Sequence, residues 1–204
     1  MKKLHLISLL LLTIITISSC KKNEKKETEP SKKGYTVEPK TTTINWIAYK
    51  TTSKTPVKGQ FTKVTIEHKN KAVTALNAIN GLKFSIPVNS LSTKDTIRDK
   101  KLKKFFFGTM ENTAEITGVI TTNSENSGTV SLTMNKITQA LPISYSINDQ
   151  MVTIEAVMNL DNWKAQLALK ALNAACEDLH SGDDGISKTW SEVKIEVATY
   201  LKYE

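Results

Sequence analysis

Apolar and polar residues alternate with a period of two along much of the chain beyond residue 40, and eight segments carry the pattern. Ile44, Trp46 and Ala48 alternate with Asn45 and Ile47 in the first, and Phe61, Val64 and Ile66 mark the second, with an irregularity near Thr62–Lys63. Leu82, Phe84, Ile86 and Val88 form the apolar set of the third, and Ile116, Gly118 and Ile120 that of the fourth. Val130, Leu132 and Met134 follow, then Leu141, Ile143, Tyr145 and Ile147. Val152, Ile154, Ala156 and Met158, and finally Val193, Ile195, Val197 and Thr199, complete the series. Such alternation sets one face of each strand against a core and leaves the other in water, as in antiparallel sheets. Asn80-Gly81, Asn123–Gly128 and Asn148-Asp149 supply turn signals between strands, the last between two strong ones. Pro87 and Pro142 remove ladder donors and predict edges or bulges.

Two stretches break the period. Ser92–Phe107 places Ile97, Leu102, Phe105 and Phe106 on one helical face, with Ser92 or Thr93 as N-cap. Trp163–Leu179 places Leu169, Leu172, Cys176 and Leu179 at spacings of three, four and three, capped by Asp161 or Asn162 and followed by Gly182. The expected fold is therefore mainly β: eight antiparallel strands with two short helices, as a closed barrel or a sandwich. At eight strands a barrel is either filled by its own side chains or holds one small ligand.

Composition agrees. The 204 residues include 26 Thr against 13 Gly and Pro together, and β-branched side chains suit a pleated surface. Two Cys and three His exclude a multi-disulfide scaffold and a Cys₄ zinc ribbon. There is no Gly-rich phosphate loop and no H-E-x-x-H. The net charge is +8, but residues 1–33 carry +5 of it and residues 34–204 only +3. That leaves no basic footprint for nucleic acid, and none is expected as a partner.

The first residues have the layout of a secretory signal. Lys2 and Lys3 precede Leu4–Ile17, in which 10 of 14 residues are Leu or Ile, and Ser18, Ser19 and Cys20 follow. Ile17-Ser18-Ser19-Cys20 resembles the bacterial lipobox, which implies cleavage before Cys20 and lipidation of that residue. Residues 1–19 are then the signal peptide, 20–33 the lipidated cysteine and a disordered Lys/Glu-rich tether, and 34–204 the folded domain. Acyl chains contribute ~0.8 kcal/mol per buried CH₂, so they would hold the protein on a membrane without a spanning segment. Lys21 after the cysteine points to the outer membrane, with the domain in the periplasm or at the cell surface.

Val88-Asn89-Ser90-Leu91-Ser92-Thr93, running into Arg98-Asp99, Leu102 and Phe105-Phe106, is similar to the central signature of the YceI-like family of bacterial envelope proteins. Ile44–Trp46, the Gly-x-Phe turn at Gly59-Gln60-Phe61, and Val130–Leu132 with Ile137-Thr138 and Pro142 fit its remaining pattern. The usual Asp-Arg-x-x-Phe-Gly element is replaced here by Leu160-Asp161-Asn162-Trp163 and a longer helix. The resemblance implies a lipocalin-like barrel that binds a long polyisoprenoid chain. It implies no cofactor, and a homodimer is left open. The ligand would then lie against the inward residues Trp46, Phe61, Phe84, Ile86, Met134, Ile143, Tyr145 and Met158. Phe105 and Phe106 would cover a mouth, since Phe105, Phe106 and Phe107 cannot all face one side of a helix. Arg98 would either meet the ligand's head or tie its helix to the rim.

Catalytic readings have little support, and neither a catalytic nor a metal site is expected. Cys176 and His180 stand at i, i+4, but Cys176 lies on an apolar stripe, where thiols are inert. The expected function is a non-enzymatic, membrane-anchored lipid carrier. The rival is a surface module whose filled barrel binds protein or glycan through its loops.

Overall fold

The structure, a computed structural model, describes residues 33–67, 71–123 and 126–204. The expected signal peptide, Cys20 and nearly all of the tether lie outside the described residues, as does His68.

Among the described residues, eleven strands form one antiparallel sheet. They are β1 (Tyr35–Val37), β2 (Thr43–Lys50), β3 (Thr55–Phe61), β4 (Thr65–Glu67), β5 (Lys83–Pro87), β6 (Leu91–Ser92), β7 (Glu115–Thr122), β8 (Ser127–Met134), β9 (Ile137–Asn148), β10 (Met151–Asn159) and β11 (Thr189–Tyr203). The order across the sheet is β4-β5-β7-β8-β9-β10-β11-β2-β3-β6, with β1 added on β11. The ends of this order are chain neighbours. β4 follows β3 after three residues, and a 3₁₀ turn at Val88–Ser90 joins β5 to β6. Between the Phe61–Leu91 pair and the Thr65–Ser85 pair, Thr62 donates its N–H to the Ser90 carbonyl at 2.9 Å. The sheet therefore curls back on itself along this seam.

The expected count of eight strands is corrected to eleven. One expected strand is split at residues 62–64, and β1 and β6 are additional. Counting β3 with β4 and setting β1 and β6 aside leaves the eight strands that the alternation marks. The tight two-residue hairpin missed by the sequence is Asn135-Lys136, with φ of 54° and 55°. Both residues sit in the left-handed region, as a type I′ turn requires. Pro142 lies where β9 parts from β10: their pairing stops at Ser144–Glu155, so no ladder donor is lost on that side.

The helices differ most from expectation. A short α1 (Ala75–Ile79), which follows β4 and precedes β5 in the chain, is capped by Thr74 and buries Ala78 and Ile79. α2 is only Thr96–Lys101, and its N-cap is Asp95, whose carboxylate accepts from the N–H groups of Ile97 and Arg98. Ser92 is spent in β6, and Ile97 points outward, 70% exposed. A π-helical turn follows at Leu102–Phe106 and a 3₁₀ turn at Phe107–Thr109. The wide π turn alters the angle between successive side chains, and both Phe106 and Phe107 are buried, their rings 5.0 Å apart and edge-on.

The second expected helix divides into a 3₁₀ turn at Leu160–Trp163, then α3 (Gln166–Ala175) and α4 (Glu177–His180). Lys164, at φ 52°, ends the first turn. Cys176, at φ −129°, breaks α3 from α4, so Leu172 and Cys176 stay on the buried stripe while Leu179 is exposed. Among the described residues, no helix is long and apolar enough to cross a membrane.

Candidate functional site

The inward side chains surround a cavity of about 220 Å³. Strand parity builds it. Ile44, Trp46 and Ala48 come from β2, Val130, Leu132 and Met134 from β8, Ile154, Ala156 and Met158 from β10, and Val193, Ile195 and Val197 from β11. Leu102, Phe106 and Phe107, with Leu169 and Leu172 of α3, complete the lining from the helical side. Among the described residues, none that lines the cavity is ionisable. An engineered cavity of ~150 Å³ with walls of this chemistry stays dry and takes up benzene.

Two cross-strand pairs keep aromatic rings close to the wall. Trp46 faces Gly59 and Phe84 faces Gly118. A Cβ on Gly59 would lie 2.1 Å from Trp46 Cζ2, and one on Gly118 would lie 2.5 Å from Phe84 Cζ. Each ring therefore occupies the space over the neighbouring strand's glycine. Gly59 lies within β3 rather than in the turn the motif implies, and the adjoining indole explains why glycine is needed there.

The few polar side chains of the lining are nearly all satisfied. Thr42 and Thr199 share a hydrogen bond of 2.7 Å, and Thr42 Oγ1 also reaches the Glu38 carbonyl at 3.0 Å. Trp190 Nε1 donates to the Thr51 carbonyl at 2.7 Å, while Lys188 Nζ stands 3.6 Å from the centroid of its ring. Trp46 is the exception: its Nε1 is buried and has no partner among the described residues. A buried donor left unsatisfied costs about 1–3 kcal/mol.

Of the eleven expected ligand contacts, Trp46, Phe61, Phe84, Ile86, Phe106, Met134, Ile143 and Met158 line the cavity, whereas Arg98, Phe105 and Tyr145 do not. Arg98 is exposed and sits 3.4 Å from Asp95. Asp99, rather than Arg98, holds α2 to the wall, since its Oδ1 accepts from both N and Oγ1 of Thr93 at 2.7 Å. Phe105 is half-buried, with Lys104 Nζ 5.1 Å from its ring centroid, and Phe106 and Phe107 take the inward places. Tyr145 is buried, and its hydroxyl donates to the Asn123 carbonyl. Sequence reasoning did not single out Thr42, Thr189 and Trp190. Thr189 and Trp190 precede the alternating run of the last strand, and a Thr carries no ligand signal by itself.

Cys176 is buried in the core, and the His180 ring turns elsewhere. Its Nδ1 lies 2.7 Å from Thr189 Oγ1, which donates its proton to Asn173 Oδ1 at 2.8 Å. The hydroxyl has one proton to give, so Nδ1 carries the imidazole proton. Burial first, then the Lys50 and Lys101 charges, hold His180 below its ordinary value of 6.5. The unfolded chain thus binds this proton more readily, and stability falls as pH drops through and below that value. Melting temperature measured from about pH 8 to pH 5 is expected to fall more steeply for the wild type than for His180→Gln, and parallel curves would refute the assignment.

A family model described as the YceI-like domain matches residues 35–200. A polyisoprenoid-binding domain from Saccharophagus degradans superposes with a TM-score of 0.59 at 10% identity, over 84% of this chain and 99% of that one. BcnA from Burkholderia cenocepacia superposes with a TM-score of 0.52 at 17% identity, over 81% of this chain and 99% of that one. No curated protein sequence matches the chain.

Proposed function

We propose a carrier function on a premise that the family match establishes: the chain belongs to the YceI-like domain family. The barrel takes up a long apolar lipid of the polyisoprenoid class and shields it from water. The observation that carries this reading is the hollow itself, walled by aliphatic and aromatic side chains with no ionisable group. A hydrocarbon tail offers no hydrogen bonds, so its binding comes from area removed from water, at about 25 cal/mol per Å². Met134 and Met158 are unbranched and adapt to a flexible guest. The polyisoprenoid-binding domain with the same fold supports this ligand class. The rival reading, a self-filled barrel acting through its loops, is disfavoured by the hollow.

In the same reading, Cys20 carries the lipid that anchors the protein in the cell envelope, and residues 20–33 hold the barrel off the membrane. No catalytic step is assigned.

Organic extraction of the purified protein followed by mass spectrometry is expected to release an isoprenoid lipid. Ala156 lines the cavity and is small, so Ala156→Phe fills part of the hollow. The variant is expected to retain at least tenfold less lipid, equivalent to about 1.4 kcal/mol of binding, while its circular dichroism is unchanged. An unchanged lipid yield from a folded Ala156→Phe, or wild-type protein that never carries lipid, would defeat the reading.

A further inference from the structure

We infer that the guest bears an uncharged hydrogen-bond acceptor, a carbonyl, ester, ether or hydroxyl oxygen, and that this oxygen sits within the barrel against Nε1 of Trp46. The inference rests on the carrier reading above and narrows its ligand class. Trp46 is 7% exposed, lines the cavity, and has no partner for its indole N–H among the described residues. The other two tryptophans show how this fold treats such a group: Trp163 donates to the Leu132 carbonyl at 3.0 Å and Trp190 to the Thr51 carbonyl at 2.7 Å. The polar hydroxyls of the lining are likewise engaged, Thr42 with Thr199, and Thr189 with Asn173 and His180. One donor in an otherwise satisfied lining is left open.

Its surroundings select the partner. A carboxylate or phosphate in the hollow would need a cation or several donors, and the lining holds no Lys, Arg or His. A neutral oxygen needs only one donor and tolerates apolar walls. The position of Trp46, in the middle of β2 and across from Gly59, sets that donor into the side wall. The acceptor is thus expected on the part of the lipid lying inside the barrel.

The test uses the full chain, ¹⁵N-labelled and stripped of co-purified lipid on a hydrophobic resin. Two probes are compared: farnesylacetone, an isoprenoid ketone, and an isoprenoid hydrocarbon of matched length without oxygen. The indole region of the spectrum contains three N–H resonances, one per tryptophan, and Trp46→Phe assigns the relevant one. The ketone is expected to move the Trp46 resonance downfield and to bind about tenfold more tightly than the hydrocarbon. In Trp46→Phe the ratio of ketone to hydrocarbon affinity is expected to fall to about one, and this ratio rather than either absolute affinity is the readout, because the smaller ring also reshapes the wall for both probes. Equal binding of both probes to wild type, or an unmoved Trp46 resonance with ketone bound, overturns the inference and leaves the carrier reading standing. If neither probe binds, the carrier reading fails and the inference falls with it. The wild-type resonance shift needs no substitution, so the test survives a Trp46→Phe that does not fold.

Discussion

Replacing Trp163 by alanine is expected to lower the unfolding free energy by about 5 kcal/mol, the largest effect of any single substitution considered. The side chain is fully buried, at 0% exposure, in the turn that joins β10 to α3. Truncation of a buried Trp costs about 3–5 kcal/mol through lost packing and the cavity left behind. It also leaves the Leu132 carbonyl without the indole donor that meets it at 3.0 Å. The turn has a second tie, since Asn135 Nδ2 donates to the Trp163 carbonyl at 2.8 Å, and that backbone bond survives the change. The loss is therefore expected in stability rather than in fold. Urea titration followed by circular dichroism measures it, and a small domain holds only about 5–15 kcal/mol in total. A loss under 2 kcal/mol would show that the surrounding turn collapses into the space and that Trp163 is no anchor. Trp163→Phe keeps most of the volume and is expected to cost about 2 kcal/mol.

Gly59→Ala is expected to cost about 3 kcal/mol, an unusual sum for a single methyl group in a strand. Alanine normally suits a strand at least as well as glycine. Here the new Cβ would fall 2.1 Å from Trp46 Cζ2 and 2.5 Å from Cε2, inside the ring rather than beside it. The indole has to leave its bed, and because it lines the cavity it moves into the space meant for the guest. Two measurements check this together: chemical denaturation for stability, and the amount of lipid recovered on extraction. Gly185→Ala, in an open loop at φ 72°, is a control in which only backbone strain is felt and lipid recovery is unchanged. If Gly59→Ala is neutral in both measurements, the ring is not confined by the wall.

The alternation of side chains made the barrel legible because a strand buried on one face has no other way to satisfy its core. Ile154, Ala156 and Met158 are read as one face, and they line one face of the hollow. What escaped the sequence is local and cooperative. The break at residues 62–64 lies at the seam where the sheet curls, with β4 paired to β5 and β6 to β3. Ile97 and Leu179 fit an apolar helical stripe, yet the π turn after α2 and the break at Cys176 before α4 separate them from the buried part of it, and both are exposed. Seven expected ligand contacts on strands face the cavity because parity set them there, and Phe106 is turned inward by the π turn. Arg98 and Phe105 sit on helical turns, where spacing alone does not say which way a side chain looks. Tyr145 has inward parity but finds a backbone carbonyl at its tip, so it serves the wall instead.

The last strand has a bearing on the order of events in synthesis. β11 pairs with β10, with β2 and with β1, so its fifteen residues seat the earliest strands of the domain beside the latest. Until those residues leave the ribosome, β2 and β10 each present a bare ladder, and such edges recruit foreign chains. The nascent domain is thus vulnerable to clumping until β11 emerges, and contacts this distant along the chain make the closure of the sheet slow.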